Sequence, residues 1–126
     1  DSNTNYAKQN NADRTNIVYY TDDAYKTKAF NSMPLIDVAF IDCMHTYGHV
    51  MYDINSALSR IDVEKGMYFI FDDFGHPEAL GVHEAIIKSI EEGLKLECYI
   101  GQPAGYQYNE SSILIHQEGV ILSYGK

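Results

Sequence analysis

Asp42 and His45 stand three residues apart, just after the apolar run Val38-Ala39-Phe40-Ile41, and a second apolar run, Met67 to Phe71, ends in the pair Asp72-Asp73. Carboxylates gathered within about 4 Å repel one another by roughly 4 kcal/mol per pair at an effective dielectric near 20, so a cluster of three calls for a cation or a proton. Oxygen ligation by Asp42, Asp72 and Asp73 suits a hard ion such as Mg²⁺, which keeps waters that a substrate hydroxyl can displace. The cation would lower the pKa of that hydroxyl, and His45, one turn beyond Asp42, is placed to take its proton as general base. Each residue also has a plainer reading, Asp42 as a helix N-cap and His45 as a hydrogen-bonded structural histidine. His49, His76, His83 and His116 read as surface or packing residues. Clustered carboxylates hold Mg²⁺ in phosphoryl-transfer sites too, but no basic phosphate clamp lies near these motifs.

For the four groups to meet, the two apolar runs must lie side by side and end at the same edge of a sheet. Both have the unbroken apolar character of strands buried on both faces of a parallel sheet, and ligands of open α/β sheets sit beyond the carboxyl ends of such strands. Tyr47 to Leu58 places Val50, Ile54, Ala57 and Leu58 at helical spacing, with Asp53 and Asn55 outward, which makes it the crossover helix. Lys65-Gly66 is a turn, and Gly75-His76-Pro77 makes residues 72–78 a loop. Gly81 to Leu94 carries Val82, Ala85, Ile86, Ile90 and Leu94 near a 3.6-residue period, with Gly93 at its exit. Leu96 to Ile100 and Ser112 to His116 read as strands joined by a Gly- and Tyr-rich loop, hence antiparallel neighbours, with a last piece at Val120 to Tyr124. Tyr106 and Tyr108 lie in that loop, which could form a lid. Tyr47 reads either as a pocket wall or as core.

Upstream, Asn16 to Tyr20 reads as a short strand, and Asp22 or Asp23 as the cap of a helix containing Ala24 and Phe30 that Asn31 to Pro34 breaks. Residues 1–16 carry five Asn and read as a weak helix or a polar arm. The 126 residues allow one domain at most, and 45% hydrophobic with 21% charged residues is ordinary for a globular chain. Eighteen acids against nine bases leave a net charge of −9, which disfavours nucleic acid and anionic membranes as partners. No apolar stretch approaches the length of a membrane span, and no signal peptide opens the chain. Cys43 and Cys98 lack metal or redox spacing and read as reduced core thiols of a cytoplasmic protein. The chain begins at Asp1 without Met, the pattern of a processed product or a piece of a longer polypeptide.

The run Ile41-Asp42-Cys43-Met44-His45-Thr46-Tyr47, then Asp53, then Gly66 before a strand ending Asp72-Asp73, then Gly81-Val82, resembles class I S-adenosylmethionine-dependent methyltransferases. Within them it is similar to the branch that methylates sugar or macrolide hydroxyls with a divalent metal, over roughly residues 16–116. Cys43 stands where that branch usually has Gly, and a lone Gly66 replaces its usual Gly pair. The resemblance implies a Rossmann-like sheet whose carboxyl half, with an antiparallel terminal strand pair, is what this chain supplies. It also implies Asp42, Asp72 and Asp73 as metal ligands, His45 as base, and S-adenosyl-L-methionine held in part by Asp42 and by Asp22 or Asp23 near the adenine, where a helix cap is the competing reading. The amino-terminal strands and the Gly-rich cofactor turn of that fold are missing, since the glycines here form no GxGxxG. Without those strands the run at Val38 to Ile41 becomes an unpaired edge, so the rest of the domain or another chain is expected to complete the sheet. The activity implied is O-methylation of a small carbohydrate-like hydroxyl acceptor; the alternative is a non-catalytic methyltransferase-like module serving as an interaction or scaffold domain.

Overall fold

The computed structural model describes residues 4–21, 23–26, 29–101 and 118–125. The chain divides into two compact units, Asp1–Pro34 and Leu35–Lys126, and the boundary falls at the Asn31 to Pro34 breaker. The strand expected at Asn16 to Tyr20 does not form: residues 17–20 have no regular structure, and Ile17, Val18 and Tyr20 are exposed. β-branched and aromatic residues favour a strand only where a partner accepts their backbone hydrogen bonds. The unit instead holds a short helix, α1 (Asn5–Asn10), and a 3-10 turn at Ala29–Ser32 in place of the longer helix expected through Ala24 and Phe30.

The second unit is α/β, with one open, mixed four-stranded sheet. In chain order it contains β1 (Val38–Ile41), α2 (Tyr47–Leu58), β2 (Met67–Phe71), α3 (Leu80–Glu91), β3 (Lys95–Ile100) and β4 (Gly119–Tyr124), and the strands lie side by side as β1-β2-β4-β3. β1 and β2 are parallel, with Ile41 opposite Phe71, so the residues after both strands emerge together. β4 runs antiparallel to both β2 and β3. The antiparallel partner of β3 is thus the piece at Val120 to Tyr124, whereas the strand expected at Ser112 to His116 and the loop holding Tyr106 and Tyr108 lie outside the described residues.

Alternation along the strands divides the sheet into two faces. Met67, Phe69 and Phe71 of β2, with Val120 and Leu122 of β4, point into the core, where Val50, Ile54 and Ala57 of α2 and Val82, Ala85 and Ile86 of α3 meet them. Those helical residues recur at intervals of three and four, which is why each helix buries one stripe. Asp53, expected outward, is buried on α2 while Asn55 is exposed. Helix α3 ends at Gly93 in the left-handed region: Gly93 N–H donates to Ile90 O and Leu94 N–H to Ser89 O, with Leu94 buried beneath. This double bond with its apolar seal is a glycine-terminated C-cap, and it closes the helix three residues before the expected end.

β1 departs from its expectation of burial on both faces. Ala39 and Ile41 are half-buried, but Val38 and Phe40 are 52% and 64% exposed on the face away from the helices. The composition of a strand signals apolarity and not which neighbours it has, and β1 is an edge strand of this sheet. Cys43 and Cys98, expected in the core, are exposed, and neither forms a disulfide.

Candidate metal centre

The parallel register of β1 and β2 sets Asp42 and Asp72 at adjacent strand ends, and Asp72 N–H still donates to Ile41 O at 3.2 Å as the ladder closes. Beyond that bond the chain turns sharply. Asp73 adopts φ 58°, the left-handed region that Asp tolerates better than most residues. Its N–H donates to Asp72 Oδ1 at 2.9 Å, its carbonyl accepts from His76 N–H, and the next residue, Phe74, is buried. Phe74 donates its N–H to Glu118 O and packs its ring against His83 and Tyr99, so the turn is pinned on both sides.

That turn directs Asp73 across to the β1–α2 connection. His45 Nε2 lies 2.9 Å from Asp73 Oδ2, with the imidazole 44% and the carboxylate 23% exposed. Asp42, His45 and Asp73 each bring one ligand atom within 4.8 Å of the others. A shallow pocket surrounds them, lined also by Ile41, Met44, Val50, Phe71 and Val82. Thr46 caps the following helix with its carbonyl, which accepts from His49 and Val50 N–H, and its hydroxyl meets His49 Nδ1 at 2.6 Å. The N-cap reading of Asp42 is therefore excluded for α2, because Thr46 occupies that position.

The structure brings together Asp42, His45 and Asp73, and not the three aspartates that sequence alone groups. Asp72 is half-buried at the pocket wall, with one carboxylate oxygen engaged by Asp73 N–H. Successive residues of a strand point to opposite faces, a signal that argues against Asp72 and Asp73 reaching one ion from the same side. His45 reads from sequence as a base alone, yet its nitrogen belongs to the same group of donors. Phe74 escapes the sequence reading, although a lone Phe between Asp-Asp and Gly-His-Pro in a polar loop is a sign of an anchor.

Mg²⁺ ligands at 2.0–2.1 Å stand about 3 Å apart when adjacent and about 4.2 Å when opposite. The outer separation of at most 4.8 Å is therefore closed by a small movement of the exposed Asp42 and His45 side chains. Two carboxylates with one imidazole form a donor set that fits Mn²⁺ or another borderline divalent ion at least as well as Mg²⁺.

Elsewhere, Asp23 accepts a hydrogen bond from Tyr25 N–H at 3.0 Å and pairs with Lys26 at 2.8 Å, a local turn-capping arrangement within Asp1–Pro34. Lys26 beside it, then the Tyr25 N–H, hold the Asp23 carboxyl below its ordinary value. Asp22 lies outside the described residues, as does His116. His76 Nδ1 accepts from Glu78 N–H and His83 stacks on Phe74, structural roles that match their reading as packing or surface residues. Tyr47 is 41% exposed, outside the core. No helix among the described residues is long and apolar enough to cross a membrane. No family model, curated protein or solved structure matches this chain.

Proposed function

We propose that Asp42 and Asp73 hold a cation beside His45, the general base, in the reaction centre of an S-adenosylmethionine-dependent O-methyltransferase, or of its carboxyl-terminal part, acting on a hydroxyl of a sugar-like acceptor. The observation that carries this reading is the meeting of these three donors, within 4.8 Å, at the carboxyl ends of two adjacent parallel strands.

When bound, a divalent cation lowers the pKa of a hydroxyl it ligates and fixes its orientation. Asp42 and Asp73 supply the negative charge that holds such an ion. Asp73 also orients the base, because its Oδ2 lies 2.9 Å from His45 Nε2 and favours the tautomer protonated there, with the lone pair on Nδ1. His45 would then be placed to accept the acceptor hydroxyl's proton at Nδ1, and S-adenosylmethionine, when bound, would supply the methyl group and leave as S-adenosylhomocysteine once its sulfonium–methyl bond is broken. Val50, Phe71 and Val82 give the pocket an apolar wall.

Calorimetric titration with Mn²⁺, then with S-adenosylmethionine, tests the proposal. Saturable binding of one Mn²⁺ per chain, abolished in Asp73→Asn, is expected. A chain that binds no divalent ion above the background of its surface charge refutes the site, and one that binds Mn²⁺ but not the cofactor, alone or with the upstream strands supplied, refutes the methyltransferase assignment.

A further inference from the structure

We infer that Gly81 is a positioning residue for His45: the second residue of α3 has no side chain so that the His45–Tyr47 backbone can rest against it, and this contact sets the distance between the two turns that carry His45 and Asp73. The inference rests on the cation-site reading above. A Cβ on Gly81 would stand 2.5 Å from His45 O, 2.5 Å from Tyr47 N and 2.9 Å from the Thr46 carbonyl carbon. Real Cβ atoms do not approach backbone so closely, and no rotamer relieves it, since all three neighbours are main-chain atoms. A Cβ on Gly48, by contrast, would meet nothing within 4 Å, so glycine at position 48 answers no such demand.

The contact matters because of what lies at each side of it. His45, Thr46 and Tyr47 are the connection from β1 into α2, and Thr46 O takes the first N–H groups of that helix. Gly81 is reached from Asp73 through a run of tight turns, His76 N–H to Asp73 O, Ala79 N–H to His76 O and Val82 N–H to Ala79 O, with Phe74 and Ala79 buried along the way. The segment that carries Asp73 therefore returns, eight residues later, to brace the backbone of the residue Asp73 faces. His45 is held from behind by a main-chain contact and in front by the 2.9 Å bond to Asp73. Helix interiors disfavour glycine by about 1 kcal/mol relative to alanine. A glycine in the first turn of α3 is accounted for by the close approach.

Gly81→Ala tests this, with Gly125→Ala as the control. Gly125 has φ +76° and lies at the opposite end of the sheet against Gly66, so its substitution strains the fold without touching the site. In the metal-free chain, the nuclear Overhauser contact between the His45 ring and the Asp73 methylene is expected to disappear in Gly81→Ala and to persist in Gly125→Ala. Mn²⁺ affinity is expected to fall at least tenfold in the first and less than twofold in the second. An Overhauser contact retained in folded Gly81→Ala overturns the positioning role, whatever the metal does; a wild-type chain that shows the contact but binds no Mn²⁺ overturns the cation site and leaves the positioning role standing. Should Gly81→Ala not fold, the wild-type chain supplies the test: an Overhauser contact between the Gly81 α-protons and the Tyr47 amide proton is expected, and its absence overturns the inference.

Discussion

Asp73 pairs a left-handed backbone at φ 58° with a carboxylate held 2.9 Å from an imidazole. Glycine would occupy that left-handed position at lower cost, since the geometry costs an L-residue about 1 kcal/mol and Asp somewhat less than most. Asp73→Gly is therefore expected to abolish Mn²⁺ binding while raising stability by about 0.5–1 kcal/mol, read from paired metal titrations and thermal melts. A variant that loses stability and keeps the metal would reverse both assignments. His45→Gln separates base from ligand: on the proposed reading, with His45 as base, methyl transfer is expected to drop by about 10²–10⁴ while Mn²⁺ affinity changes less than tenfold. Asp23 offers an independent check on electrostatics. Its folded-state pKa is depressed, so the stabilisation from Lys26 is present above the ordinary carboxylate value of 3.8 and lost as pH falls through the lower folded value. Lys26→Met is expected to move the Asp23 titration seen by NMR back up, with little effect on melting because the pair is exposed. At this scale the sequence disclosed the strand-end acids and His45 but not their pairing. Which of two adjacent aspartates turns towards the imidazole depends on the left-handed turn after Asp72, and no residue type announces that turn.

The elements that carry the site were legible from their apolar patterns. α3 has apolar residues at an interval that only a helix buries on one face, β2 is a short unbroken apolar run, and Gly66 and Gly93, both at positive φ, mark the turn into β2 and the end of α3. What could not be read was neighbourhood. Ile17 to Tyr20 has strand-forming residues yet stays irregular, and β1 has the composition of a central strand, so that its edge position followed only from the lack of amino-terminal strands to pair with it. Substitution separates the two faces of the sheet: Phe69→Ala, fully buried, is expected to cost about 3–5 kcal/mol, whereas Phe40→Ala, 64% exposed, costs under about 1 kcal/mol by chemical denaturation. Equal costs would mean that Phe40 is covered in solution. Asp53 shows the same limit in reverse, since helical spacing assigned it outward and packing of α2 buried it.

Across the whole chain, a net charge of −9 draws cations to the surface without any specific site. Salt near 0.15 M screens that attraction beyond about 8 Å, while a site formed by Asp42, His45 and Asp73 at contact distance persists. Val38 and Phe40 are exposed on β1, which is an edge strand of the sheet among the described residues. The most direct measurement is therefore electron paramagnetic resonance of Mn²⁺ titrated into the chain in 0.15 M salt, beside Asp42→Asn and Asp73→Asn. One tight ion per chain, weakened at least tenfold, or about 1.4 kcal/mol, by either substitution is the expected result. Binding that is weak, unsaturable and indifferent to both substitutions would contradict it.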